Sequence, residues 1–342
     1  MRSFMPQKFS KLLLHPSFEK TVLAVNKLKI TLPSIPSNVD LDFNLYKFPN
    51  NAQLLTNIED IKAYNLNPKN GEQFLKNRYK ICAYDESIQK SKALEGSAYL
   101  TSHSLVIHGE DDYVSSNYLT FYFYTRSSEL CKKSDYIRLS ENTEADFKAD
   151  YAKDRSAFLI ENTPTSAILF VDGPLIGGQV SSYTIDTNNK LLSNNIVPIF
   201  FVKNSDSNLV VENIKEIKNK YNSDLHWAYS FLKNGQRTSF FKYVDKHNSN
   251  NAKIFCYLKA FNGSPQRVEF HLNTFDKFKD IIPELMDLIY YLLLVQGNLK
   301  NPQVRSIAIA EAYARSTLRL FDLTKIMKDL GITPTINEER FK

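Results

Sequence analysis

Hydrophobic and polar residues alternate over residues 79–126 in the way that is typical of antiparallel β-strands. The stretches YKICAYDES, SAYLTSHSLVIHG and NYLTFYFYTR are rich in β-branched and aromatic side chains, and each has the length of a strand. We interpret them as three consecutive strands of a meander. The first of these strands is expected to end at its acids, Asp85 and Glu86.

The pattern then becomes helical and afterwards uniformly apolar. In SENTEADFKADYAKDRSAFLIEN the apolar residues recur at roughly helical spacing, and Ser140 or Asn142 can cap the first turn. A Thr-Pro-Thr break at residues 163–165 ends this helix. The next two runs, SAILFVDGPL and IVPIFFVKNS, have the unbroken apolar character of central strands whose two faces are both covered.

The remaining chain continues the mixture of helices and strands. The pattern predicts an amphipathic helix in VVENIKEIKNKY, strands in KIFCYLKAF and QRVEFHL, and long helices over residues 275–299 and in AIAEAYARSTLRLFDLTKIMKDLG. We therefore expect one α/β domain with a mixed sheet over residues 76–335. An N-terminal arm with scattered Pro and Asn is expected over residues 1–75, and a short C-terminal tail over residues 336–342.

The amino-acid composition and the absence of certain motifs exclude some functional classes of protein. The chain has 342 residues, of which 43% are hydrophobic, so it can bury a sizeable core. It contains neither GxxxxGK[ST] nor GxGxxG, which argues against nucleotide hydrolysis on a phosphate loop. A formal charge of +6 agrees with an anionic partner such as nucleic acid but does not establish one.

The spacing of the cysteines and the hydropathy of the chain indicate the compartment in which the protein is expected. The three cysteines, Cys82, Cys131 and Cys256, are far apart and form neither a CxxC nor a zinc pattern, so reduced thiols are expected. The N-terminal apolar run is too short for a secretion signal. Because the most apolar segment, residues 281–295, is interrupted by Pro and acids and is shorter than a bilayer needs, we expect no membrane association and a cytoplasmic protein.

Two acids follow apolar strands and are the main candidates for chemistry. Asp85 stands in ICAYDES and Asp172 in ILFVDGP, and a third acid, Asp154 or Glu161, lies on the helix between them. If the two strands are neighbours, both aspartates emerge at the same sheet edge, where carboxylates would suit Mg²⁺ or Mn²⁺. Such ions promote phosphodiester hydrolysis. The alternative for Asp-Gly-Pro is a turn in which the acid bonds nearby backbone amides.

Basic residues suggest contacts to an anion. Lys203, at the end of FFVKNS, can face the same edge and hold a phosphate, or it can be an ordinary solvated lysine. Arg237 and Arg267 stand among aromatic residues and can follow a nucleic-acid backbone, although core packing explains those aromatics equally well. The histidines form no usable cluster, which disfavours a histidine-based catalyst.

The ordered set AYDES, DRSAFLIE, ILFVDGPL, FFVKNS and NPQVRSIAIAEAYARSTLRL resembles the NurA family of DNA-repair nucleases over roughly residues 75–335. The resemblance implies an RNase H-like fold, a mixed sheet flanked by helices, with an N-terminal arm and C-terminal helices. It also implies a DNA nuclease that uses manganese or magnesium, with two ions, a homodimer, and a hexameric HerA-type translocase as partner. Asp85 and Asp172 then match metal ligands and Lys203 the family lysine, while Asp154 is preferred to Glu161 as the helical acid.

The chain departs from the family pattern at two places. Glu86 replaces a glycine of the first motif, and the C-terminal block has Gln303 and the pair Ala310-Glu311 where the family often has Tyr and Ala-His. Glu311 is then either a further metal ligand or a helix-surface charge, and Gln303 is a candidate for DNA contact. These differences leave open a catalytically inactive binding module with the same fold, or a nuclease directed at phage DNA or RNA.

Overall fold

The computed structural model describes residues 23–25, 27, 54–76, 79–109, 112–132, 134–176, 181–214, 217–245, 248–299 and 302–335. The chain divides into two compact units, Met1–Ile35 and Pro36–Lys342. In the first unit, residues 23–25 are helical. The second unit contains every strand of the described residues.

The described residues of this second unit contain twelve strands, which form one sheet. They are β1 (Leu54–Asn57), β2 (Tyr64–Asn65), β3 (Lys80–Lys92), β4 (Ser97–His108), β5 (Tyr113–Thr125), β6 (Ile137–Leu139), β7 (Ala167–Asp172), β8 (Val197–Val202), β9 (Gln236–Arg237), β10 (Phe241–Val244), β11 (Ala252–Lys259) and β12 (Gln266–His271). Their order is β1-β10-β11-β12-β8-β7-β3-β4-β5-β6, with β9 pairing with β11 and β2.

The helices of this unit connect the strands and cover both faces of the sheet. They are α1 (Pro68–Leu75), α2 (Ser128–Cys131), α3 (Thr143–Asn162), α4 (Ser181–Ser193), α5 (Leu209–Asn213), α6 (Asp224–Phe231), α7 (Leu272–Phe278), a 3₁₀ turn (Lys279–Ile281), α8 (Ile282–Gln296), α9 (Arg305–Arg319) and α10 (Leu323–Asp329). The Asn142 side chain accepts a hydrogen bond from the Ala145 N–H and so caps α3.

The central strands have an RNase H-like arrangement. Strands β3, β4 and β5 form an antiparallel meander, and β7 and β8 continue the sheet on the other side of β3, parallel to it and to each other. Helix α3 precedes β7 in the chain and supplies the crossover. The resulting order β5-β4-β3-β7-β8, with helices packed on the sheet, confirms the fold class predicted from sequence.

The two faces of the sheet are covered by different helices. Ile81 and Ala83 of β3 pack in a cluster with residues of α8 and with Ile307 of α9. We call this side the α8/α9 face. Cys82 and Tyr84 pack with Phe158 of α3 and residues of β7 and α4, and this side is the α3/α4 face. Because side chains alternate along a strand, neighbouring residues of β3 belong to opposite faces.

Two elements differ from the sequence expectations. Strand β3 does not end at its acids: its pairing with β7 stops at Tyr84, but its pairing with β4 continues without a break to Lys92. The helix expected in VVENIKEIKNKY ends at Asn213, because Ile214 adopts an extended backbone that lets its side chain be buried. In the expected N-terminal arm, β1 pairs with β10 and α1 packs on α8. The domain limits stay a prediction, and residues 336–342 lie outside the described residues.

Candidate functional site

Asp172 is placed by the end of a central strand and by the glycine that follows it. It is the last residue of β7, and Gly173 has φ 104°, in the left-handed region that glycine adopts without strain. The Gly173 N–H donates a hydrogen bond to the Phe201 carbonyl at 2.8 Å. The chain therefore turns away from the sheet directly after Asp172, which leaves the carboxylate at the sheet edge.

Asp85 lies beside this edge although it is inside a strand. It comes one residue after β3 stops pairing with β7, and its alternation with Ala83 puts it on the α8/α9 face, as the alternation of Phe170 and Asp172 does for Asp172. Burial, together with the negative charges of Asp172 and Glu86, raises the pKa of Asp85 to about 7. Since the charge of Asp172 contributes to this shift, the two carboxyl groups interact electrostatically.

Lys203 and Glu311 complete the group. Lys203 follows β8 immediately, and its Nζ lies 2.7 Å from Oδ2 of Asp172 and 3.8 Å from Oε2 of Glu311 on α9. Arg315, one turn further along α9, bonds the other carboxylate oxygen of Glu311 at 2.5 Å. We call Asp85, Asp172 and Glu311 the carboxylate cluster. Its members come from β3, β7 and α9, so the fold rather than local sequence assembles it.

Helix α9 packs on the sheet through a buried side on which three of the five residues are small. It crosses β3, β4 and β5, and Ser306, Ala310 and Ala314 are buried on its inner side. Glu311 stands next to this buried stripe, and its side chain keeps 27% exposure. The side chains of Asp172 and Lys203 are similarly half-buried. The cluster is thus partly shielded from water but open on one side.

The other sequence candidates for the third acid lie elsewhere. Asp154 accepts a hydrogen bond from the Tyr122 hydroxyl at 2.8 Å, on β5 and on the α3/α4 face. Burial raises the pKa of Asp154, and the bond from Tyr122 opposes that shift. Glu161 is exposed near the end of the same helix. The structure therefore brings Asp85, Asp172 and Glu311 together with Lys203, and it does not bring Asp154 or Glu161 to them.

Glu86 also faces away from the carboxylate cluster. Alternation along β3 turns it to the α3/α4 face, where it acts electrostatically on Arg155. Burial lowers the pKa of Arg155, but the charges of Tyr151 and Glu86 more than offset this and raise it overall. The Arg155 guanidinium lies 5.1 Å from the ring centre of Tyr84. Glu86 is therefore part of a packed aromatic and ionic group behind the sheet.

The predicted DNA contacts other than Lys203 are inside the protein. Arg237 is 7% exposed and forms an ion pair with Glu59, and Arg267 is 5% exposed and lies 2.8 Å from Glu269. Gln303 is likewise buried. Guanidinium groups that are buried against carboxylates do not face an incoming phosphate, so Arg237 and Arg267 play a structural part in this fold.

A buried ion-pair network supports the segments that follow Asp172 and Lys203. The sequence analysis did not single out this network. Glu269 is fully buried and pairs with Lys253 at 2.5 Å and Arg267 at 2.8 Å. Its second oxygen accepts the Leu175 N–H at 2.9 Å, three residues after Asp172. Arg267 also donates to the Ser205 hydroxyl, two residues after Lys203. The sequence feature that could have predicted this network is the presence of charged residues within the otherwise apolar strands KIFCYLKAF and QRVEFHL.

With this geometry in place, the comparison with family models is decisive. The NurA domain model matches residues 80–316, well over half of the chain. The chain belongs to the NurA domain family. This matched segment contains Asp85, Asp172, Lys203 and Glu311, and membership supports a nuclease. No curated protein matches the sequence.

Solved structures with some similarity include other NurA proteins. The Sulfolobus solfataricus NurA nuclease is 11% identical, with a TM-score of 0.45 over 79% of this chain and 88% of that one. NurA bound to dAMP and manganese is 8% identical, with a TM-score of 0.40 over 69% and 84% of the two chains. Endonuclease V from Ciona intestinalis in complex with an inosine-containing DNA is 13% identical, with a TM-score of 0.37 over 71% and 87%.

The site offers carboxylate oxygens, which suit an oxygen-preferring cation. In this structure two of the three carboxylates interact with the ammonium group of Lys203. Among the described residues, no three His, Cys, Asp or Glu side chains are arranged to hold a metal ion. Instead the Lys203 ammonium neutralises Asp172 and approaches Glu311. The pKa of Asp85 is raised first by burial and then by the negative charges of Asp172 and Glu86. The carboxylate oxygens are the donor type that Mg²⁺ or Mn²⁺ prefers, although the described side chains are not arranged to hold an ion in this structure.

The described helices can also be set against the thickness of a bilayer. None of them has both the length and the apolar character that crossing a membrane requires.

Proposed function

We propose that this NurA-family chain is a deoxyribonuclease that depends on manganese or magnesium, and that Asp85, Asp172 and Glu311 hold the ions. The observation that carries the proposal is that Lys203 approaches both Asp172 and Glu311 at a partly open sheet edge, where the charge of Asp172 also acts on Asp85. Two ions are proposed, as for the family. Bound there, they would activate water and stabilise negative charge on a phosphodiester.

The protein side chains have separate parts in this proposal. Asp85 is the most buried of the three acids, and its raised pKa makes it the carboxyl group whose ionisation a cation would favour most. Lys203 shares its ammonium between Asp172 and Glu311. Once cations neutralise those carboxylates, the ammonium can bind a phosphate oxygen of the substrate.

The finer features of the activity are proposals that rest on the family. We propose 5′–3′ exonuclease and single-strand endonuclease activities in DNA end resection and double-strand break repair, with a HerA-type hexameric translocase as partner. A homodimer and a cytoplasmic location belong to the same proposal. The mild positive charge of the chain agrees with a nucleic-acid substrate.

A second candidate is a non-catalytic DNA- or partner-binding module with the same fold. The observation that favours it is the absence of a contribution from the described residues of α3: Asp154 is bonded to Tyr122, and Arg155 faces Glu86 behind the sheet. If a carboxylate from α3 is indispensable for binding metal, this chain retains the scaffold without the chemistry. Action on phage DNA or RNA is a further alternative, which the choice of substrates in the experiment addresses.

The test measures cleavage of end-labelled single-stranded DNA, duplex DNA and RNA with Mn²⁺, Mg²⁺ or EDTA. The wild type is compared with Asp172→Asn and with Asp154→Asn as a matched control on the opposite face. We expect metal-dependent DNA cleavage by the wild type and Asp154→Asn, and none by Asp172→Asn. Cleavage that survives Asp172→Asn would remove this residue from the mechanism, and intact DNA binding without any cleavage would favour the binding module.

A further inference from the structure

Arg315 is an exposed charge in direct contact with the carboxylate cluster. Its guanidinium bonds Glu311 at 2.5 Å, and its side chain is 63% exposed. Glu311 in turn approaches Lys203, which bonds Asp172. Arg315 therefore stands at the solvent side of a continuous chain of charged groups that ends at the sheet edge.

A second arginine follows on the same stripe of α9. Residues four apart on a helix lie one above the other, so Glu311, Arg315 and Arg319 form a row. Arg319 is exposed at the end of the helix. The buried side of α9, formed by residues such as Ala314 and Leu318, holds this row in place against the sheet. The row thus runs from the carboxylate cluster outward along a fixed element.

We propose that Arg315 and Arg319 form a binding track for the phosphate backbone of a nucleic-acid strand that enters the carboxylate cluster. The proposal rests on the function proposed above and names the residues that receive its substrate. Arg237 and Arg267 are buried and Lys203 lies within the cluster, so the anionic strand needs other positive groups on its way in. Arginine suits this task because its planar guanidinium binds phosphate oxygens through two parallel hydrogen bonds.

The pairing of Arg315 with Glu311 gives the track a second property. In the free protein the guanidinium neutralises a carboxylate that would otherwise repel DNA. Because a guanidinium has five N–H donors and this side chain is 63% exposed, it can contact phosphate while it stays paired with Glu311. The track and the cluster are therefore coupled through Glu311.

The experiment measures binding of fluorescein-labelled oligo(dT) in EDTA over a range of salt concentrations, so that cleavage plays no part. The wild type is compared with Arg315→Ala/Arg319→Ala, with the charge-conserving Arg315→Lys/Arg319→Lys, and with Lys148→Ala. Lys148 is a matched control, since it is an exposed cation in an i,i+4 pair with Glu144, but on α3. Thermal unfolding of all variants is followed in parallel.

Loss of two phosphate contacts lowers the slope of log Kd against log salt by about 1.4 and weakens binding about 25-fold at 0.1 M salt. We expect this for the double alanine variant, a retained slope for the double lysine variant, and wild-type behaviour for Lys148→Ala, all with unchanged unfolding temperatures. An unchanged slope for the double alanine variant would overturn the track. Because binding is read without cleavage, that outcome is distinct from failure of the nuclease proposal, in which the wild type binds DNA but does not cut it with any metal.

Discussion

Acidic side chains on the two faces of the sheet near residues 85 and 86 have different kinds of partners. On the α3/α4 face, Asp150 has Arg138 and Tyr124 as partners, Asp154 has Tyr122, and Glu86 faces Arg155. On the α8/α9 face, Lys203 pairs with Asp172 and Glu311, Arg315 pairs with Glu311, and the nearby Asp85 forms an ion pair with neither cation. The first face gives each acid a partner within the protein, whereas the second retains unbalanced negative charge at an opening.

This difference follows from the period of a β-strand. Asp85 and Glu86 are consecutive, yet alternation sends one to the carboxylate cluster and the other to the back of the sheet. An acid is therefore a candidate ligand by virtue of its face and not of its proximity in sequence to another acid. Variants that alter an acid on one face and a matched acid on the other face test this difference.

The largest expected effect separates Asp85 from its neighbour. Asp85→Asn removes a proposed ligand and should lower the single-turnover cleavage rate with Mn²⁺ on the order of 10³-fold. Glu86→Gln changes only the opposite face and should stay within about tenfold of wild type. Equal losses in the two variants would show that the face of the sheet does not decide which acid takes part.

The next effect concerns the buried network that supports the edge. Glu269→Gln leaves Lys253 and Arg267 without their shared carboxylate in the core, which should cost about 3–5 kcal/mol of unfolding free energy. The exposed Glu144→Gln, which also loses a lysine partner, should cost no more than about 0.5 kcal/mol. Denaturant unfolding measures both, and a small effect of Glu269→Gln would mean that the network does not hold the loops after Asp172 and Lys203.

The fold was accessible from sequence wherever periodicity carried the information. The meander of β3, β4 and β5 and the central strands β7 and β8 follow from alternating and unbroken apolar runs, and Asp172 was recognised at the end of its strand. Strand β3 was placed too short because its polar half looks like a loop. It remains a strand there because β4 continues to supply hydrogen bonds after β7 has ended.

The assembly of the site was less accessible because its contacts join distant segments. Arg237 pairs with Glu59, 178 positions away, and an arginine beside aromatic residues has the same local sequence whether it is buried or exposed. Glu311 was noted as one of two possibilities, since no local pattern tells which helix face meets the sheet edge. The packing of α9 through small residues decides that question.

The pH dependence of stability sharpens the description of the cluster. The folded-state pKa of Asp85 is raised to about 7 from 3.8. A carboxyl group with a raised pKa binds its proton more tightly in the folded protein, so its contribution to stability is complete below about pH 4 and is lost as pH rises through 7. In EDTA at pH 8, Asp85→Asn should therefore have a higher free energy of unfolding than wild type, by up to about 4 kcal/mol. Denaturant unfolding measures this difference. The difference should vanish near pH 4.

Two outcomes would contradict this assignment. A pH-independent difference between the two proteins would indicate that Asp85 titrates normally. A destabilised Asp85→Asn at pH 8 would indicate that the Lys203 charge, and not burial and Asp172, dominates the environment of this carboxyl group. The solvent-exposed Asp60→Asn, paired with Lys62 at the surface, serves as the control and should show almost no difference at any pH.

The smallest effect is expected on the α3/α4 face. Tyr122→Phe deletes the hydroxyl that donates to Asp154 and should cost about 1 kcal/mol of unfolding free energy, because Asp154 keeps partial access to water. Cleavage rate and the Mn²⁺ dissociation constant should stay within about twofold of wild type, since the pair lies two strands from Asp85 and behind the sheet. A clear loss of Mn²⁺ affinity in Tyr122→Phe, with stability little changed, would instead link Asp154 to the metal and erase the distinction between the two faces.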